Sequence, residues 1–226
     1  METRLSHLDD LVYQTDYRSF DRYLCLFSAL AAARLTRCAI FGTKNLCHVS
    51  LWIFLCAAAL LSLERICYLW IWRAPGDFCA LCARPATARI GTPVDVLQFL
   101  FCGFKILQCA VFLAWCFAYG NGSLWPPSSD PLSLTLGAAL LIGGQILNIS
   151  VFYRLGKVGV FYGNKFGYPT SWVRKFPFSC LRHPQYIGAL LSIWGFFLVM
   201  RFPQDDWYIL PALETLYYAL GAYWEQ

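Results

Sequence analysis

LSLTLGAALLIGGQILNISVFY, residues 132–153, contains no charged side chain. About 20 apolar residues are enough for a helix to cross the hydrocarbon of a bilayer, and this stretch has that length. Lipid offers no hydrogen bonds, so a spanning segment must satisfy its own backbone, as a helix does and an open strand does not. The whole chain agrees with that reading. Of its 226 residues 58% are hydrophobic and 14% charged, against about 25% charged in an average soluble domain. The expected fold is an all-α, polytopic transmembrane bundle of five or six helices.

Toward the C-terminus, Tyr186 to Phe202 reads as a short span, Pro203 to Asp206 as a turn, and Trp207 to Trp224 as the returning arm of a helical hairpin. Toward the N-terminus, GNGSLWPPSSDP (120–131) is a turn rich in Gly, Ser and Pro. Val94 to Tyr119 is a long span carrying only Asp95 and Lys105. Residues 73–92 read as a polar, Pro-containing connection, and Leu46 to Leu63 as a span ended by Glu64 and Arg65. Phe20 to Phe41 is apolar but holds Asp21, Arg22, Arg34 and Arg37, so it either crosses or lies along the interface. METRLSHLDD lacks the apolar core of a signal peptide, and the first hydrophobic helix is expected to act as an uncleaved anchor. The division expected is an N-terminal set of membrane or interfacial helices (1–92) and a core (93–226) within one membrane domain.

The net charge is +5, and from Arg154 to Gln185 there are six basic residues and no acidic one. Basic loops stay on the cytoplasmic side of a membrane, and such a surface also suits anionic lipid phosphates. That orientation puts Arg182, His183 and Glu225 on the cytoplasmic face, and the Asn121-Gly122-Ser123 glycosylation sequon on the other. The eleven cysteines include one C-x-x-C, Cys79 and Cys82, without a second pair at zinc spacing. Cys102, Cys109 and Cys116 recur every seven residues, as small packing residues on one helix face do. No metal site and no nucleic-acid partner are expected, and the sequence sets no oligomeric state.

Ionisable groups inside a membrane are costly and so are candidates for function. Glu214 falls mid-span, on the same helix face as Glu225 and about 16 Å from it. Pairing with Arg201, a bond to a Tyr or protonation would each stabilise it, and a structural role is expected. In FPFSCLRHPQYIG (176–188), Pro184 removes a backbone donor and turns His183 away from helical geometry. Irregular backbone at membrane depth is tolerated where it lines a cavity. Upstream, Gly156, Gly159, Gly163 and Gly167 would share one face of a helix and admit another helix or an acyl chain. They follow an apolar helix rather than a strand, so they form no dinucleotide loop.

Taken in order, GGQILNISVFYRLGKVGVFYGNKFG (143–167), FPFSCLRHPQYIGALLS (176–192) and a hairpin ending in YWE (223–225) resemble the membrane phospholipid N-methyltransferases. They are most similar to the plant-type branch acting on phosphatidyl-N-methylethanolamine. The resemblance covers about residues 95–226, and more faintly LTRCAIFG near the N-terminus. It implies an S-adenosylmethionine-dependent enzyme of the endoplasmic reticulum that methylates the amine of a phospholipid headgroup. The family's Gly-x-Gly cofactor element falls on Ile142, Gly143 and Gly144, with the first glycine replaced; its acidic pair falls on Trp224 and Glu225, with one acid lost. The block Arg182, His183, Pro184, Tyr186 and Gly188 completes the implied cofactor site, and isoprenylcysteine carboxyl methyltransferases share it. Gly159, Gly163, Arg174 and Lys175 are the implied substrate residues, the two cations for the lipid phosphate. Where the animal and fungal pattern follows Gly159 with Thr, this chain has Val160. His183, Tyr162 and Tyr168 are the candidates to relay a proton, with His183 and Tyr162 taken as the catalytic pair. Two rival readings are carboxyl methylation of a prenylated cysteine, and a membrane scaffold without enzymatic activity.

Overall fold

A computed structural model describes residues 50–119, 125–126, 130–170, 173–202 and 207–225. The Phe20–Phe41 segment, the LTRCAIFG stretch, the sequon at Asn121, the turn at 203–206 and the choice between five and six crossings lie outside those residues. Among the described residues all regular structure is helical: α1 (Leu51–Arg73), α2 (Pro75–Cys82), α3 (Pro85–Ala88), α4 (Pro93–Tyr119), α5 (Pro131–Val160), α6 (Pro184–Val199) and α7 (Ile209–Trp224), with a 3-10 turn at Gly163–Phe166. Three helices, α1, α4 and α5, are long and apolar enough to cross a membrane, and α6 is a shorter apolar helix. The helical membrane bundle expected from the sequence is present.

Several boundaries differ from those expected. Glu64 and Arg65 do not end a span; α1 runs through them to Arg73, because they pair with each other and Glu64 also pairs with Lys105 of α4 inside the bundle. Residues 73–92 hold two short helices, each opened by a proline at its first turn, where the missing N–H costs nothing. The 155–167 glycines do not share a helix face. Gly156 has φ +61°, a left-handed value that kinks α5, and Gly163 opens the 3-10 turn. Cys116 is buried, while Cys102 and Cys109 lie on the outer surface.

The tightest packing joins α5 to α6. Gly137 and Gly144 on α5 meet Gly195 and Gly188 on α6: a Cβ on Gly137 would stand 2.9 Å from the Gly195 carbonyl, and one on Gly144 2.5 Å from the Gly188 carbonyl. Small residues let two helices touch along their backbones, the usual device inside membranes, where lipid is as apolar as any side chain. Gly144→Ala is therefore expected to cost about 1–3 kcal/mol, since neither helix can yield without parting from the other. A fall in the thermal unfolding midpoint in detergent, with Gly143→Ala as the harmless comparison at an open position, checks this.

At the end of the bundle away from the basic loop, Asp130 caps α5, accepting from the N–H groups of Leu132 and Ser133. Its bond from the Ser133 hydroxyl, together with those N–H groups, holds its carboxyl below the usual range. Arg201 reaches the same Ser133. Two apolar clusters divide the interior. One, around Trp115, Phe112, Phe197 and Leu210, fills the half near that end; the other, around Ile71, Phe78, Leu97 and Phe161, fills the half near the loop. Glu64, Arg65, Lys105 and Gln108 fall between the buried members of the two in sequence along α1 and α4, while Glu214 on α7 falls within the first.

Candidate active site

The basic loop end of the bundle is shaped by three local features. Tyr162, just beyond the end of α5, adopts φ 54° and ψ 30°, a left-handed conformation rare for a residue with a side chain. Such strain persists where the surroundings over-determine it. Here the ring sits edge-on to Tyr68 and Trp72, and its hydroxyl donates to Glu225 Oε1 at 2.7 Å. Glu225 itself is the residue that ends α7. His183 caps α6 with φ −119° and ψ 62°, and Pro184 takes the first helical position, as the sequence requires. The His183 ring stacks on Tyr186, with centroids 5.7 Å apart, and Tyr186 interacts with both Tyr162 and Glu225.

These groups line one cavity of about 790 Å³, within the range of ligand pockets. Gly159, Tyr162, Arg182, His183, Pro184, Tyr186 and Glu225, all singled out from the sequence, share its wall. The others stand elsewhere. Ile142 is 62% exposed on the outside of α5, and Gly143 faces open space. Gly144 and Gly188 are spent on the α5–α6 contact. Gly163 packs against Val158. Trp224 is largely exposed with the Arg73 guanidinium over its ring, and Arg174 and Lys175 are exposed on the loop.

Sequence reasoning missed the cavity's inner wall. Lys105 on α4 donates to Glu64 Oε2 at 3.1 Å, to Gln108 Oε1 at 3.0 Å and to the Tyr218 hydroxyl at 3.2 Å. Arg65 donates to Glu64 Oε1 at 2.8 Å and lies over the Tyr218 ring at 3.9 Å. Glu214, 2% exposed, sits within electrostatic reach of Arg65 and Lys105 and interacts with Gln108, not with Arg201 as one expectation had it. The signal was present: three ionisable residues, Glu64, Arg65 and Lys105, inside apolar stretches. Read one helix at a time, they looked like a span's end and a stray lysine. Other cations of this end are engaged at the surface, Lys157 with Asp95 and Lys165 over the Trp72 ring. Among the described residues no group of His, Cys, Asp and Glu could hold a metal ion.

The cavity also has an apolar side wall between α4 and α5. α4 and α5 are neighbours in sequence yet pack little against each other. Cys109, Leu113 and Ile149, which line the cavity there, are exposed.

A helical membrane protein with an internal cavity, cationic and carboxylate groups at its aqueous end and an apolar flank suits catalysis on a lipid headgroup. The family profile described as phospholipid methyltransferase matches residues 132–226. The phosphatidyl-N-methylethanolamine N-methyltransferase of Arabidopsis thaliana is 34% identical over 56% of this chain and 67% of its own length. The phosphatidylethanolamine N-methyltransferase of Rattus norvegicus is 37% identical over 40% of this chain and 45% of its own. The phosphatidyl-N-methylethanolamine N-methyltransferase of Saccharomyces cerevisiae is 34% identical over 40% and 44% respectively. The chain spans about two thirds of the plant relative and less than half of the other two. No solved structure matches it. The chain belongs to the phospholipid methyltransferase family and is an enzyme of that class.

Proposed function

We propose that this chain methylates the headgroup nitrogen of phosphatidyl-N-methylethanolamine and then of its dimethyl form, yielding phosphatidylcholine, with S-adenosylmethionine as methyl donor. The observation that carries the reading is the convergence of Glu225, Tyr162, Arg182, His183 and Tyr186 on one cavity whose walls are largely apolar. The residues fit the donor. Glu225 would hold its ammonium, Arg182 its carboxylate, and the His183 and Tyr186 rings its adenine. Bound there, the cofactor supplies an electrophilic methyl group.

The chain's own groups supply the rest. An alkylamine is mostly protonated at neutral pH, as Lys is with a pKa near 10. The apolar walls formed by Phe101, Phe112, Phe152 and Phe178 exclude water, which disfavours the charged amine and frees its lone pair. Tyr162 is the candidate relay. Its O–H already donates to Glu225, so its oxygen can accept the headgroup's proton as its own passes to the carboxylate. His183 stands on the same wall as a second acceptor. Aromatic faces such as Tyr186 suit the methylated ammonium product.

The basic residues of the loop support a cytoplasmic orientation for this end, and the family resemblance supports the endoplasmic reticulum. Arg174 and Lys175, on the outer surface, suit the phosphates of the surrounding leaflet. The relatives' activities favour amine over carboxyl methylation. The test uses purified protein in lipid nanodiscs with methyl-labelled S-adenosylmethionine. Phosphatidylethanolamine, its mono- and dimethyl forms, and a prenylated cysteine are offered in turn. Label is expected on the mono- and dimethyl lipids; label on the prenylated cysteine, or on no lipid, overturns the reading.

A further inference from the structure

We propose that Arg65, backed by Lys105, binds the phosphodiester of the substrate lipid. The inference rests on the reading above, and it gives the lipid phosphate a site inside the cavity rather than on the basic loop.

Arg65 lines the cavity with its side chain 12% exposed, about 12 Å inside the loop end of α1. A guanidinium has five N–H donors. Among the described residues Arg65 spends one of them, on Glu64. That carboxylate is shared with Lys105, and Glu214, within electrostatic reach of both cations, forms an ion pair with neither, so Arg65 keeps its other donors. Lys105 has its three acceptors already, in Glu64, Gln108 and Tyr218, and acts as a fixed charge behind the site. Stacking over Tyr218 at 3.9 Å holds the guanidinium plane in place. One helical turn on, the Tyr68 hydroxyl is buried on the cavity wall without a hydrogen-bond partner among the described residues. Residues three apart share a helix face, so a guanidinium with unspent donors and an unspent hydroxyl stand together.

This arrangement fits a singly charged, two-oxygen anion taken up by a planar fork. The proposed reaction brings two such anions, the lipid's phosphodiester and the cofactor's carboxylate. Arg182, at the aqueous mouth, serves the second. Arg65 lies deeper, in the polar stratum reached from the apolar flank, where the lipid enters.

Two measurements test it. Arg65→Gln is expected to raise the KM for phosphatidyl-N-methylethanolamine roughly 10- to 100-fold, the worth of a charge-assisted pair. The affinity for S-adenosylmethionine, measured by binding, stays unchanged, and Arg65→Lys recovers part of the loss. A shift in cofactor affinity with lipid KM unmoved would assign the anion to the cofactor and overturn the proposal, as would no shift in either. Should the variant not fold, the wild-type protein decides. Phosphatidylmethanol is expected to displace a bound fluorescent phospholipid, and its uncharged phosphotriester to do so at least about tenfold less well. Equal displacement overturns the proposal. Displacement needs no methyl transfer, so a protein that binds phosphodiesters selectively yet methylates no lipid would sink the functional reading alone.

Discussion

On the proposed function, Glu225→Ala is expected to weaken the binding of S-adenosylmethionine by about 100-fold, the upper range for a charged hydrogen bond, while insertion into the membrane is retained. Among the described residues Glu225 is the one carboxylate on the cavity wall at the loop end, and it meets Tyr162 at 2.7 Å. Its removal takes away both a negative charge and the anchor of a strained residue. Two companions separate these effects. Glu225→Gln keeps an acceptor for the Tyr162 hydroxyl but loses the charge, and should bind the cofactor almost as poorly. Tyr162→Phe keeps the charge and should retain most of the cofactor affinity while slowing methyl transfer. Titration calorimetry in detergent gives the affinities. An unaltered affinity in Glu225→Ala would take the residue out of the cofactor site.

Glu64→Leu costs about 3–5 kcal/mol of stability, the penalty of leaving buried charge uncompensated. The carboxylate holds Arg65 and Lys105 together across α1 and α4, and Lys105 carries the link on to Tyr218 of α7. Without it, two cations remain in an apolar interior with Glu214 as their nearest carboxyl. Glu64→Leu combined with Lys105→Met should recover a substantial part of the loss, because residues in one network do not act additively. Unfolding in denaturing detergent provides the measurement. A Glu64→Leu protein as stable as the wild type would mean that the network contributes nothing to holding the three helices together.

The sequence was most informative where a single segment settles the matter. An uncharged stretch such as 132–153 must be a membrane helix whatever its neighbours do, because the bilayer imposes that on it directly. Pro184 must open a helix and disturb His183, because the restriction is covalent. The ordered blocks around Gly143–Gly167, Arg182–Gly188 and Glu225 sufficed to indicate the family, since their chemistry follows chain order. Half of the candidate site was legible in this way: Tyr162, Arg182, His183, Tyr186 and Glu225 do share one cavity.

What the sequence alone determined, then, is the class of fold and the aqueous mouth of the site, both set by local composition and by short, contiguous motifs. Only the tertiary structure decided the uses of Gly144 and Gly188, which are adjacent across α5 and α6 though far apart in the chain. It also decided the pairing of Glu64 and Arg65 with Lys105, residues separated by about forty positions. A glycine's worth as a contact and a charge's worth as a partner both depend on what stands opposite. Burial of a charge is tolerable only with a counter-charge within a few ångströms, and that distance is a property of the assembled helices, not of any one of them.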